Sequence, residues 1–132
     1  MRPAIINVMD KAARRAGREL VRDFGEVEQL QVSRKGAADF VSAADTRSEE
    51  TIHYELMKAR PNFGFLGEEG GKMEEGDGVH RWIVDPLDGT TNFLHGLPQF
   101  AISIALEERG QIVAGVVYEP LKDELFWAEK NN

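Results

Sequence analysis

Trp82-Ile83-Val84-Asp85-Pro86-Leu87-Asp88-Gly89-Thr90-Thr91-Asn92-Phe93-Leu94-His95 is the stretch whose reading decides the rest of the chain. Arg81 to Val84 reads as a buried strand that delivers Asp85 to its C-terminal end. Pro86 has a preset φ suited to the second position of a β-turn, and such a turn brings its first and fourth α-carbons within about 7 Å. On that reading Asp85 and Asp88 converge, with the Leu87 carbonyl between them. Two carboxylates and a carbonyl are hard oxygen donors of the type Mg²⁺ prefers. Gly89 lets a ligand approach the backbone. A short helix begun at Thr90 would aim the Gly89 and Thr90 amides at an anion such as phosphate. Metal and phosphate sites would then touch, as metal-assisted phosphoryl transfer requires. In isolation, Asp85 to Gly89 fits a tight surface turn with an Asp helix cap equally well. The buried strand before it, Thr90 after it and a second acidic motif upstream favour the site.

Upstream, Pro3 to about Phe24 reads as an amphipathic helix. Ile5, Met9, Ala12, Ala16, Leu20 and Phe24 recur at spacings of three and four, Arg14, Arg15, Arg18 and Arg22 fall mostly elsewhere, and Gly25 suits the end. Leu30 to Ser33 reads as a short strand and Arg34 to Asp39 as a flexible loop holding Lys35. A second helix starts at Asp45 or Thr46, where Thr46 and Glu49 make a capping-box pattern, and Ile52, Leu56 and Ala59 form its apolar stripe. His53 on that helix reads as a surface or packing residue. Asn62 to Leu66 reads as a strand entering Gly67-Glu68-Glu69-Gly70-Gly71, and Lys72 to His80 as a polar, Gly-rich loop.

Downstream, Phe100, Ile102, Ile104 and Leu106 alternate with smaller residues, the period of a half-buried strand. Turns at Arg109-Gly110 and Pro120 to Asp123 lead into strands over Ile112 to Tyr118 and Leu125 to Ala128, an antiparallel meander. Two helices early and strands late give an α+β class, with two N-terminal helices packed on a largely antiparallel sheet.

Composition narrows the partners. The 132 residues suggest one domain, and 42% hydrophobic with 30% charged residues is the profile of a globular protein. Sixteen basic and 23 acidic residues leave a net charge of −7, which argues against non-specific nucleic-acid binding. An acidic chain that takes an anionic substrate needs cations to invert the local field. The absence of cysteine removes thiolate metal sites and cysteine-nucleophile phosphatase chemistry, and fits a reducing cytoplasm. No apolar run approaches the ~18 residues that span a membrane.

The Trp82 to His95 run resembles the signature of the inositol monophosphatase family. Gly67-Glu68-Glu69-Gly70 resembles that family's Gly-Glu-Glu motif, and Val41-Ser42-Ala43-Ala44-Asp45 its Val-Thr-x-x-Asp segment with Ser42 at the Thr position. The resemblance covers essentially the whole chain and implies that residues 1–132 are the N-terminal metal- and phosphate-binding half of a layered α/β/α/β/α sugar-phosphatase fold. It implies a first Mg²⁺ held by Glu68, Asp85 and the Leu87 carbonyl, and a second shared by Asp85 and Asp88. It implies phosphate on Gly89 and Thr90 beside Asp88, and a catalytic set of Asp45, Thr90 and Glu68 in which Asp45 and the Thr90 hydroxyl orient the attacking water. Lys35 falls in a loop resembling the family's mobile active-site loop, and His95 is read as shaping the turn. A small phosphorylated polyol or sugar as substrate, lithium sensitivity, a homodimer and a cytoplasmic location are further implications.

The family's chain continues past this point with a Trp-Asp motif that completes the second metal site, whereas Trp127 here reads as a strand residue. The expectation is weak Mg²⁺ binding and slow turnover by these residues alone. Three alternatives stand beside it. One is another phosphatase of the same family, acting on fructose 1,6-bisphosphate, a nucleotide 3′-phosphate or histidinol phosphate. Another is a haloacid-dehalogenase-type phosphatase, although its paired aspartates lie two residues apart rather than three. The last is a catalytically incomplete metal-binding or dimerising fragment.

Overall fold

A computed structural model describes residues 2–27, 29, 34–68 and 72–130. The first helix, α1, spans Ala4–Val27 and buries Ile6, Met9, Ala12, Ala16 and Leu20 along one face. It does not stop at Gly25. A glycine inside a helix costs about 1 kcal/mol relative to alanine, and the further turn buries Val27 completely, which offsets that cost.

The second helix, α2, spans Arg34–Ala59 and corrects three expectations at once. Arg34 to Asp39 is its first turns rather than a loop. Ala37, Val41, Ala44, Ile52 and Leu56 are buried, so the apolar stripe begins well before Asp45 and carries the helix with it. The Thr46–Glu49 capping box therefore does not form: Thr46 sits mid-helix, where its hydroxyl donates to the Ser42 carbonyl at 3.0 Å. Ala59, expected in the stripe, is exposed at the helix end. The Leu30 to Ser33 strand and the Lys35 side chain lie outside what the structure describes.

The strands are β1 (Gly64–Gly67), β2 (Met73–Glu74), β3 (His80–Asp88), β4 (Ala101–Glu108), β5 (Gln111–Glu119) and β6 (Glu124–Glu129), with a third helix α3 (Thr90–Leu94) between β3 and β4. They form one six-stranded sheet in the order β2-β1-β3-β4-β5-β6. Among the described residues only the β1–β3 pair is parallel; β4, β5 and β6 are the antiparallel meander read from the sequence. β2 is a two-residue strand inside the stretch read as a loop, paired antiparallel to β1.

Both long helices lie on one face of the sheet. α1 covers β4 and β5 and packs along α2, while α2 covers β3 and meets α3. Alternation decides which residues they bury: Ile102, Ile104 and Leu106 of β4 face the helices, as do Trp82 and Val84 of β3. His53 of α2 fills a packing role, its ring meeting Phe65 edge-on at 4.7 Å. At one end of the core Phe24, Phe93 and Phe100 form an aromatic cluster with centroids 4.9 to 5.4 Å apart. That cluster pins α3 against α1 and the start of β4, and fixes the loop between β3 and α3.

Candidate metal and phosphate site

The C-terminal end of β3 is where the candidate residues gather. Asp85 pairs with Ser103 and Asp88 with Ala101, with a register shift between them. The expected β-turn is thus a bulge: the chain stays in the sheet and absorbs the irregularity at Pro86, which has no N–H to give the ladder. The Leu87 N–H donates to Asp85 Oδ1 at 3.3 Å, closing the bulge locally. Pro86 and Leu87 are buried, Asp85 is half-buried, and Asp88 is exposed.

Gly89 follows as the N-cap of α3, in the left-handed region at φ 93°. A β-carbon there would stand 2.9 Å from the Gln99 carbonyl, so the position is closed to side chains by conformation and by space alike. α3 does begin at Thr90, as read from the sequence, and Phe93 N–H returns to the Gly89 carbonyl at 3.0 Å. The first amides of such a helix have no partner within it. His95 shapes the end of the turn, its Nδ1 lying 2.8 Å from the Thr91 carbonyl. An open cleft of about 390 Å³ adjoins the bulge, lined by Asp88, Gly89, Asn92, Gln99, Phe100 and Lys122 among others.

Glu68 arrives from the neighbouring strand. β1 runs parallel to β3 with Gly67 opposite Val84, and the Glu68 N–H donates to the Val84 carbonyl at 3.2 Å. Glu68 therefore leaves the sheet beside Asp85, at a strand spacing of about 4.8 Å. Asp45 comes from α2, where it is 4% exposed. Thr90 lies on α3, which α2 touches.

The candidate residues thus come to one end of the sheet's inner strands, but they do not close on a point. Among the described residues no three His, Asp or Glu side chains are grouped tightly enough to hold a metal ion. The donors nevertheless suit a hard divalent cation. They are carboxylates and carbonyls, without the cysteine that would select a softer metal. The Glu68 and Asp88 carboxylates form no hydrogen bond or ion pair among the described residues, so both are available to a ligand.

A further buried acid stands beside these segments. Glu49, read from the sequence as half of a capping box, is 2% exposed and stands one turn beyond Asp45. Its carboxylate lies directly against Gly67, where a β-carbon would collide with it. The signal was the Asp45, Glu49 spacing of four, which places both acids on one face of a helix, once the helix is known to run through Asp45.

Comparison with known proteins follows the same lines. The model of the inositol monophosphatase family matches residues 2–132. Inositol-1-monophosphatase of Rhizobium meliloti is 63% identical over 129 residues, which are 98% of this chain and 48% of that protein. Nus factor SuhB of Xylella fastidiosa is 44% identical over 132 residues, 98% of this chain and 46% of that protein. Among solved structures, the extragenic suppressor protein suhB of Bartonella henselae superposes with a TM-score of 0.86 at 62% identity, covering 98% of this chain and 50% of that one. The chain spans about half the length of the curated relatives it matches.

Proposed function

The chain belongs to the inositol monophosphatase family, and from that premise we propose that it carries the metal- and phosphate-binding part of a Mg²⁺-dependent phosphomonoesterase acting on inositol 1-phosphate or a related small phosphate ester. One observation carries the reading: β1 runs parallel to β3 and stops opposite Val84, leaving Glu68 beside Asp85, while β3 runs on through the bulge to Asp88 and the glycine that opens α3. Glu68, Asp85, Asp88 and the Leu87 carbonyl are the residues that would hold Mg²⁺. Bound there, the ion supplies Lewis acidity and positive charge for an in-line displacement at phosphorus.

The chain's own groups do the rest. The Gly89 and Thr90 amides receive phosphate oxygens at the start of α3, where unpaired N–H groups favour an anion. Asp45, carried by α2, and the Thr90 hydroxyl orient the water that attacks. With water as the nucleophile, no side chain becomes phosphorylated, which separates this chemistry from the aspartyl-phosphate route. Asp88 and Gly89 line the cleft beside the bulge, which would admit the alcohol of the ester.

The test is phosphate release from inositol 1-phosphate by the purified chain, with and without Mg²⁺. Release that appears only with Mg²⁺ supports the reading, at a slow rate because the relatives carry as much chain again. Release unaffected by Mg²⁺, or a phosphorylated aspartate trapped during turnover, would overturn it.

A further inference from the structure

We propose that Ser48 and Glu49 of α2 are positioning residues for this site: Glu49 seats the Gly67–Glu68 end of β1, Ser48 holds the Pro86 bulge of β3, and one helical turn thereby sets the spacing of the two acidic segments. The functional consequence rests on the phosphatase reading; the positioning itself does not.

The two contacts are separate and both are buried. Ser48 Oγ donates to the Pro86 carbonyl at 2.8 Å, and Ser48 is 1% exposed. Pro86 stands between Asp85 and Leu87, so this bond fixes the segment that carries two of the proposed ligands. Glu49 is the next residue, and the three atoms nearest to a β-carbon built on Gly67 all belong to its carboxylate group. The carboxylate thus fills the space a side chain at position 67 would take. Residue 67 is held on its other side by its own N–H, which donates to the Lys72 carbonyl at 3.0 Å. Residue 68 is held by Val84. Gly67 is therefore glycine because of Glu49: its φ is not in the left-handed region, so nothing in its backbone conformation demands glycine.

A buried charged side chain is costly to keep in a core. The position next to it, Ser48, is likewise polar and buried, and α2 buries two further acids, Asp45 and Glu55. Glu55 pairs with Lys11 and Arg15 of α1, whereas Ser48 and Glu49 meet the two segments bearing Asp85 and Glu68. A rigid helix turn is a more accurate spacer than either strand end alone, because supporting groups hold a site's geometry to fractions of an ångström.

The experiment is a mutant cycle read by amide hydrogen exchange, using the 132-residue chain, with Mg²⁺ calorimetry on the same samples. Glu49→Asp withdraws the carboxylate by one methylene and keeps its charge. It is expected to speed exchange of the Gly67 and Glu68 amides by about tenfold while leaving the Ile104 and Val116 amides unchanged, a local opening rather than a global one. Gly67→Ala is expected to do the same through collision. In the double variant the added methyl occupies the vacated space, and exchange returns towards the parent's. Ser48→Ala and Glu49→Asp are each expected to weaken Mg²⁺ binding by roughly tenfold, the scale of lost outer supports of a metal site. An additive cycle, or exchange raised equally at Glu68 and Ile104, would make the pair ordinary core residues and overturn the proposal. If the parent binds no Mg²⁺, the phosphatase reading fails, and the exchange cycle still decides the positioning.

Discussion

The two ends of β3 treat their acids differently. At the N-terminal end, Asp77 accepts from the Val79 and His80 amides at 2.8 Å each and from His80 Nδ1 at 2.9 Å. The other ring nitrogen of His80 lies 3.0 Å from Glu108, and the ring stacks on Phe63 at 4.3 Å. Those donors, led by the His80 amide, hold the Asp77 carboxyl down at about 2. Both oxygens of Asp77 are spent on the fold. At the C-terminal end Glu68 and Asp88 are exposed and have no partner among the described residues, next to a glycine whose shape keeps side chains away. A carboxylate with both oxygens fed by local donors, as at Asp77, is structural. One left uncommitted beside the start of a helix is available to a ligand.

The sharpest way to break this contrast is to remove one acid at each end. Asp88→Asn is expected to cut Mg²⁺-dependent phosphate release roughly 100-fold or more, beyond the loss seen for outer supports of metal sites, whereas Asp77→Asn leaves the rate within about twofold. Equal losses would erase the distinction. Gly89→Ala comes next. A left-handed conformation costs a residue with a β-carbon about 1–2 kcal/mol, before its collision with Gln99, so a calorimetric scan is expected to show the melting midpoint lowered by roughly 4–10 °C. Gly78, which also has a positive φ but open space around it, sharpens the point: Gly78→Ala is expected to cost less, through conformation alone.

The smallest effect is at Asp77 itself. Its folded pKa of about 2 lies below the ordinary 3.8. The folded state therefore favours the ionised acid, a contribution present above about pH 4 and lost as pH falls towards about 2. In urea titrations, the gap in midpoint between parent and Asp77→Asn is expected to be open near pH 5 and to narrow across that window. A gap that stays constant or widens in acid would show that those hydrogen bonds do not favour the charged form.

How much of this was legible in the sequence differs by element. The meander was readable because β4 alternates strictly and its turns carry their own signals at Arg109-Gly110 and Pro120 to Asp123. The start of α3 after Gly89 was readable for the same reason, a local conformational demand. The extent of α2 was not. Gly36 and the charges at Arg34, Lys35 and Asp39 look like a loop, and only tertiary contact with α1 and the sheet reveals that Ala37, Val41 and Ala44 continue the stripe. The same misjudged helix start hid Glu49 by giving it a cap to serve. At Asp85 to Asp88 the backbone differs from its reading. Pro86 reads as a turn former, but pairing of Asp88 with Ala101 keeps the segment in the sheet.

The most direct test of the account is calorimetric titration of Mg²⁺ into the chain without substrate, comparing the parent with a Glu68→Gln, Asp88→Asn double variant. The account predicts saturable binding by the parent and its loss in the variant, with both proteins melting at similar temperatures. Binding that survives in the variant would place the cation elsewhere and contradict the central claim that the segment after β1 and the C-terminal end of β3 together make the metal site.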